Sequence, residues 1–370
     1  MVKKMINNTE WKEFNFTDIF EIKNGFYNKK PEQEDNGNIP FIGATDSNNG
    51  VTEFYTVENI NKSSKTGDKN NVDISKKIFS GNCICVTNNG SVGYAYYQKS
   101  KFTCSHDVNP LYLKNYKLTK ELAMFLIAAI EKQRVCFTYS RKWRPKRMVK
   151  SKILLPVDKD SNPDYQAMEE YIKINKNTTQ EKCINFLKKE ISNMQYKLVE
   201  EIEEKSWKDF KLTDLFEIQK GNQNNMSSLE QGDIPLVSAK KIDNGYKGFV
   251  IENNKSVFNG SCITINNDGD GGAGIAYYQP YKMLLDSHVT ALYPKCKLLN
   301  KYNSIFVASA ITKQRSRFGH GYSINNSRIK NFRFMLPVDS NGNPDYEYME
   351  QYIKNIMLEQ YKRYIQFLEN

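Results

Sequence analysis

The chain has 370 residues, 53 Lys and Arg against 42 Asp and Glu (formal charge +11) and 12% aromatic residues, 23 of them Tyr and 20 Phe. That length allows two domains with separate cores, and that charge favours a polyanionic partner, although a low-GC genome would also enrich Lys, Asn and Tyr. Seven cysteines without a Cys-x-x-Cys pair indicate neither a disulfide framework nor a zinc site, and the longest apolar run, Leu122 to Ile130, is too short to span a membrane.

The chain is written twice. Trp11 to Ile22 returns as Trp207 to Ile218 with 8 of 12 positions identical, and Leu155 to Lys173 returns as Leu336 to Lys354 with 13 of 19 identical. Between these anchors the register drifts and most residues differ, so one scaffold carries two different surfaces. In chain order, each copy opens with Trp-Lys-x-Phe, a helical turn and a strand at Phe20-Glu-Ile or Phe216-Glu-Ile. A short strand then feeds a polar loop, at Asn38 to Ala44 and Asp233 to Ala239. Cys83-Ile-Cys-Val-Thr and Cys262-Ile-Thr-Ile-Asn run through Asn- and Gly-rich turns into Tyr94 to Gln98 and Ile275 to Gln279, the pattern of a hairpin. Cys83 and Cys262 match in position and read as small apolar residues. Helices are predicted at Glu121 to Gln133 and Asn303 to Gln314, so each copy mixes helix with many short strands.

Pro163 and Pro344 stand just ahead of long helical patterns, with Asp164 and Asp345 placed as N-caps. The first pattern contains Met168 and Ile172. Ile184, Leu187, Ile191, Met194 and Leu198 continue it in steps of 3, 4, 3 and 4, a heptad seam. Its run to Lys205 would reach roughly 60 Å, with Asn177-Thr-Thr as a point of interruption. Tyr346, Met349, Ile353 and Ile356 keep the same phase in the second copy. The fold class expected is α+β: two tandem mixed domains joined by long helices that pack as an antiparallel coiled coil with pseudo-two-fold symmetry. Such a protein suits a duplex, whose local two-fold axes offer two half-sites. The boundaries predicted are a tail at 1–10, a first domain at 11–157, a connecting helix at 158–206, a second domain at 207–338 and a second helix at 339–370.

The strongest chemical signal precedes each Leu-Pro-Val-Asp. Arg134 to Lys152 holds eight Lys or Arg and no acid, and Lys313 to Arg333 holds six and no acid. Positive charge interleaved with aromatics suits a phosphate backbone and base edges. Tyr139, Arg141, Lys142, Trp143, Arg144, Lys146 and Arg147 are the candidates in the first copy, and Arg317, His320, Tyr322 and Arg328 in the second. Trp143, His320 and Tyr322 are expected to read sequence, and the equivalent Arg147 and Arg328 to anchor phosphate. The polar loops after the Ile-Pro strands supply Thr45, Asn48 and Asn49 in one copy and Lys240 and Lys241 in the other; Asn pairs with adenine and Lys with guanine. An ordinary variable surface loop explains these residues equally well. Asn88, Asn89, Asn266 and Asn267 join the list, although Asn-Gly turns need no function.

Catalytic readings fail. Gly269 to Gly274 lacks the Gly-Lys-Ser/Thr of a P-loop. Asn162-Pro-Asp-Tyr165 and Asn343-Pro-Asp-Tyr346 sit at helix starts, where capping explains them. His106 and His288 occupy matching Ser-His dipeptides, but with one further histidine no paired base or metal cluster can be argued. No catalytic residue and no metal ligand is assigned.

Two divergent domains, each opening with Trp-Lys-x-Phe-x-Leu/Phe-Thr-Asp-x-Phe-Glu-Ile and closing with Leu-Pro-Val-Asp and a long helix, resemble the specificity subunits of type I restriction–modification systems, over residues 11 to 370. The resemblance implies target recognition domains that each read one half of a bipartite, asymmetric site in double-stranded DNA. It also implies that Met168, Ile172, Ile184, Leu187, Ile191, Met194, Leu198, Met349, Ile353 and Ile356 pair the helices and dock two methyltransferase subunits. S-adenosylmethionine is then expected on those partners, which flip out and methylate adenine, with no cofactor on this chain. A restriction subunit or fused nuclease would be a further partner. The shorter second helix departs from the type I pattern. Met1 to Glu10 matches the segment before Trp207, so the missing part of the second helix is expected between the two termini, which favours the compact type IIB-like form. No signal peptide is seen, and a cytoplasmic, non-catalytic protein is expected. Against this stand a stand-alone nucleic-acid-binding module, a nucleic-acid enzyme with an unrecognised active site, and a tandem protein that binds some other acidic partner. Duplex binding sharpened by a methyltransferase separates the first reading from all three.

Overall fold

The computed structural model describes residues 9–32, 37–66, 73–137, 141–268, 272–296, 299–318, 323–324 and 326–370, without the side chains of Ser227 and Asn326. It divides into two compact units, Met1–Lys182 and Cys183–Asn370.

The two best-repeated motifs prove to be partners of each other. Trp11–Asn15 pairs antiparallel with Lys152–Pro156, Phe14 opposite Ile153. Trp207–Lys211 pairs with Arg333–Pro337, Phe210 opposite Phe334. The opening and closing motifs thus form one clasp, which explains why they are the segments that repeat most closely. Cross-strand charges reinforce it: Lys152 bonds Glu13 at 3.0 Å, and Arg333 meets Asp209.

Phe16–Ile19 and Leu212–Leu215 are the predicted helical turns. Each leads into a four-stranded sheet. In the first unit its order is Phe20–Ile22, Val108–Leu113, Cys83–Thr87, Ala95–Gln98; in the second it is Phe216–Lys220, Val289–Pro294, Cys262–Asn266, Ala276–Gln279. Every position of Cys83–Thr87 and Cys262–Asn266 is buried, the polar Thr87, Thr264 and Asn266 included. Cys83 and Cys262 are fully covered, and burial pushes the Cys262 thiol up to about 12, so it is an inert apolar filler. A smaller sheet holds Val51–Tyr55, Ile39–Ile42 and Thr103–Cys104; its counterpart holds Tyr246–Val250, Gln231–Val237, Met283–Leu285 and Val257–Phe258.

The helices Lys120–Glu131 and Lys301–Lys313 cover the larger sheets, capped by Thr119 and Asn300. One core joins Phe16, Ile84, Leu122, Leu126, Trp143 and Met168, and the other joins Leu212, Ile263, Phe306, Val307, Phe334 and Met349. The hairpin turns after the central strands need Gly93 (φ 80°) and Gly274 (φ 82°). There the chain takes a left-handed conformation, and an arginine, Arg134 or Arg315, closes over it. No helix of the described residues is long and apolar enough to cross a membrane.

The long helices differ from expectation. The first runs unbroken through Asn177-Thr-Thr, from Tyr165 to Ser192, and the second from Tyr346 to Glu369. Asp164 Oδ1 accepts Ala167 N–H at 2.9 Å and Asp345 Oδ1 accepts Tyr348 N–H at 3.0 Å, as predicted N-caps should. The first helix does not reach Lys205. Asn193 and Met194 bond three residues back, tightening a last turn. Beyond it, side chains of the second helix capture the backbone. Asn355 donates to Lys197 C=O (2.7 Å) and accepts from Lys197 N–H (3.3 Å), and Gln351 donates to Gln195 C=O (2.8 Å). These bonds replace the intrahelical ones, so the segment continues as irregular chain.

Antiparallel pairing survives within the second unit. Lys188 meets Glu369, Lys197 meets Asn355 and Lys205 meets Asp345. Leu187 and Met194 are buried there, and Ile184 and Ile191 are half-buried. Leu198, expected on the seam, lies beyond the helix and is 86% exposed. Met168 and Ile172 pack on the first core and Met349 and Ile353 on the second. Ile356 is 40% exposed.

Candidate nucleic-acid interface

The polar loops are built the same way in both copies. Asn49 and Asn244, both at positive φ, donate to Tyr97 and Tyr278 C=O at 3.1 Å. Gln98 and Gln279 answer by donating to Asn49 and Asn244 C=O at 2.9 Å. A tyrosine from the same hairpin, Tyr96 or Tyr277, bonds the carbonyl of Thr45 or Lys240. The loop is therefore a rigid bracket on the hairpin, and its asparagines serve the turn. Asn48, also at positive φ, donates to Val51 C=O. Thr45 meets Ser47. Lys240 is tied back to Asp243 (2.6 Å) and to Tyr246 C=O (3.0 Å).

Lys241 is exposed. With Tyr277, Tyr281, Lys313 and Arg315 it lines an open concavity of ≈ 860 Å³. Its counterpart in the first copy is Asp46, so one framework presents opposite charges in its two copies.

Four candidates, Trp143 in the first basic segment and three asparagines at the hairpin turns, are corrected. Trp143 is fully buried, its ring stacked on Phe137 at 4.6 Å and its Nε1–H bonded to Ser151 Oγ at 2.9 Å. It fills the core because its neighbours Phe137 and Phe16 are apolar, and it cannot read bases from there. Asn88 is likewise buried, held by Asn109 Oδ1 (2.7 Å), and Asn267 accepts from Thr290 Oγ1 (2.8 Å) in the matching place. Asn266 is 1% exposed and donates to Lys240 C=O, which supports the loop. The side chains of these asparagines are engaged in hydrogen bonds within the fold.

Arg141, Lys146, Arg147 and Arg317 are exposed, and Lys142, Arg144 and Arg328 half-buried. Arg147 and Arg328 are equivalent in structure. Each donates Nη1–H to the carbonyl five residues before it, Lys142 at 2.7 Å and Ser323 at 2.6 Å. Arg134, outside the earlier candidates, lays its guanidinium 3.5 Å from the centre of the Tyr94 ring. Tyr139, His320 and Tyr322 lie outside the described residues.

The histidines do not match. Val108–Leu113 and Val289–Pro294 occupy the same place in the two larger sheets, and Asn88 N–H to Asp107 C=O (2.8 Å) corresponds to Asn267 N–H to His288 C=O (2.9 Å). Asp107 is thus the counterpart of His288, and Asn89 of Asp268. Asn89 Nδ2 donates to Asp107 (3.1 Å), which also holds Arg144 (3.1 Å). In the second copy His288 Nδ1 lies 2.8 Å from Asp268, and that hydrogen bond is the chief cause raising the imidazole pKa. Aligning the strands by their valines exposes this match; the repeated Ser-His dipeptide hides it. Among the described residues no three His, Cys, Asp or Glu side chains gather as a metal site requires.

Two copies of one scaffold, with differing charges at the same loops and strand ends, define a two-domain recognition protein. The model of the type I restriction modification DNA specificity domain matches residues 8–185 and again 204–367, and the chain belongs to that family. It is a specificity subunit, whose role is DNA sequence recognition alongside methylase partners; catalysis lies on partner subunits. The chain is 27% identical over 354 residues to the specificity subunit S.BcgI of a type II restriction enzyme from Heyndrickxia coagulans, covering 94% of this chain and 95% of that one. Among solved structures it is similar to the type I S subunit from M. genitalium (17% identity, 98% and 94% covered, TM-score 0.48). It is also similar to the HsdS subunit from Thermoanaerobacter tengcongensis (11% identity, 97% and 90% covered, TM-score 0.30). The family assignment rests on the family model.

Proposed function

We propose that the chain reads a bipartite, asymmetric DNA site, one half with each domain, and positions adenine methyltransferase subunits over it in the cytoplasm. The observation that supports this most is the pairing of a repeated framework with inverted side-chain chemistry, Asp46 against Lys241 and Asp107 against His288. Target recognition domains at 11–157 and 207–338 would each place a basic strip on the duplex: Arg141, Lys146 and Arg147 in the first, Lys241, Arg317 and Arg328 in the second. Tyr139, His320 and Tyr322 belong to the same strips by sequence position.

The segments 158–206 and 339–370 would dock two modification subunits. Apolar side chains exposed there, Phe186, Leu198, Ile356 and the stacked pair Tyr364 and Phe367, support that role, since contiguous exposed apolar surface favours partners. S-adenosylmethionine would be held by those partners, and a restriction subunit or fused nuclease would join where the system cuts.

The test is to co-express the chain with the methyltransferase encoded beside it and to map methylated adenines. A split, asymmetric motif that vanishes when this chain is deleted is the expected result; no motif with the partner present would overturn the reading. Arg147→Glu should weaken binding to every duplex alike and reduce the salt slope by about 1. An unchanged slope removes Arg147 from the phosphate contacts.

A further inference from the structure

The strand ends that carry Asp107 and His288 hold one arrangement built in two opposite ways. In the first domain a carboxylate on position 107 receives Asn89 Nδ2 and holds the guanidinium of Arg144, each at 3.1 Å. In the second domain position 288 is itself the cation-forming group, and the carboxylate comes from position 268, at 2.8 Å. The backbone beneath is the same in both, bonded at 2.8 and 2.9 Å.

We propose that these carboxylate-held donors, Arg144 on Asp107 and His288 on Asp268, are base-reading groups of the two half-sites, and that the exchange of acid and base at positions 107 and 288 makes the half-sites differ. The inference rests on the proposed reading of a bipartite site.

Exposure supports it. The His288 side chain is 60% exposed and Arg144 39%, while the strands that carry positions 107 and 288 are buried at their adjoining residues. His288 stands at a strand end, and Arg144, the N-cap of Pro145–Met148, is held to the matching strand end through Asp107; a donor held in this way and open at its tip is the arrangement a preorganised contact needs. His288 stands between two concavities of ≈ 530 and ≈ 580 Å³, lined by Lys220, Asn267 and Ser323 on one side and by Lys240 and Lys247 on the other. Asp268 on Nδ1 leaves Nε2 as the outward atom. Protonated, it donates to an acceptor such as guanine O6 or N7, whereas the Arg144 fork can take both atoms at once.

The experiment maps methylation by the complex of full chain and methyltransferase carrying His288→Ala, His288→Gln or Arg144→Lys. Melting curves on each variant establish that it is folded. Both His288 variants should lose about ten- to hundredfold discrimination at one base pair of one half-site, and Arg144→Lys should do so in the other half-site only. Folded variants whose motif is unchanged at every position overturn the inference, as does an equal loss over both half-sites, which marks a phosphate contact. If the unaltered chain directs no split motif, it is the reading of the bipartite site that fails.

Discussion

Trp143→Ala is expected to destabilise the first domain strongly and not to change which bases it reads. The indole is wholly buried against Phe137 and Phe16, with ring centroids at 4.6 and 5.4 Å. Truncating so large a buried ring costs about 3–5 kcal/mol, the lost transfer free energy plus the cavity. Against a total stability of roughly 5–15 kcal/mol, that is a drop of order 10 °C in melting temperature. Trp143→Phe keeps most of the stack but leaves Ser151 Oγ without its donor, and should cost about 1–2 kcal/mol. Chemical denaturation of both variants checks the order. A Trp143→Ala chain as stable as the original, with an altered methylation motif, would return Trp143 to the DNA surface.

The same residue illustrates what the sequence could and could not reveal. The framework was legible because it is periodic and repeated. The central strands and their hairpins follow from alternating or β-branched residues around Asn- and Gly-rich turns, and the Asp164 and Asp345 caps follow from position. The site was less legible, because basic segments also contain core residues: Arg141, Lys146 and Arg147 are exposed while Trp143 among them is buried, and composition cannot separate the two. The end of the first helix at Ser192 was hidden for another reason. Heptad spacing continues to Leu198, but Gln351 and Asn355, more than 150 residues further on, offer the backbone competing bonds. Tertiary partners override local propensity in such places.

Comparing the copies separates what is held fixed from what varies. Asn49, Gln98 and Tyr96 recur as Asn244, Gln279 and Tyr277 with matching hydrogen bonds, so these residues shape the bracket. Asp46, Asn89 and Asp107 recur as Lys241, Asp268 and His288. Each change alters charge or donor capacity at a fixed backbone position, and none is needed to keep the fold. Changes of charge at loop and strand-end positions on a repeated frame are what two half-sites of different sequence demand, since phosphate contacts position the protein and base contacts specify.

The loops that present these groups depend on close backbone approaches, and Gly221→Ala should expose that dependence. Gly221 follows the strand Phe216–Lys220 and donates its N–H to Val289 C=O at 2.9 Å. A methyl group on it would overlap the carbonyls of Asp286 and Leu285. These are backbone atoms and cannot swing aside as a flexible side chain would. Asp286 is also pinned from behind, its N–H bonded to Val237 C=O at 2.9 Å. Relief must come from shifting strands, which puts the cost at about 3 kcal/mol. The shift would reach the proposed reader, because Asp286 Oδ1 accepts His288 N–H at 3.1 Å. Gly25 makes the corresponding approach to Ser105 C=O in the first domain. Gly25→Ala should therefore weaken protection from hydrogen exchange in residues 9–182 and Gly221→Ala in residues 183–370. Either variant exchanging like the original protein would show that the backbone has room there, and that the strand ends carrying Asp107 and His288 are less rigid than base reading requires.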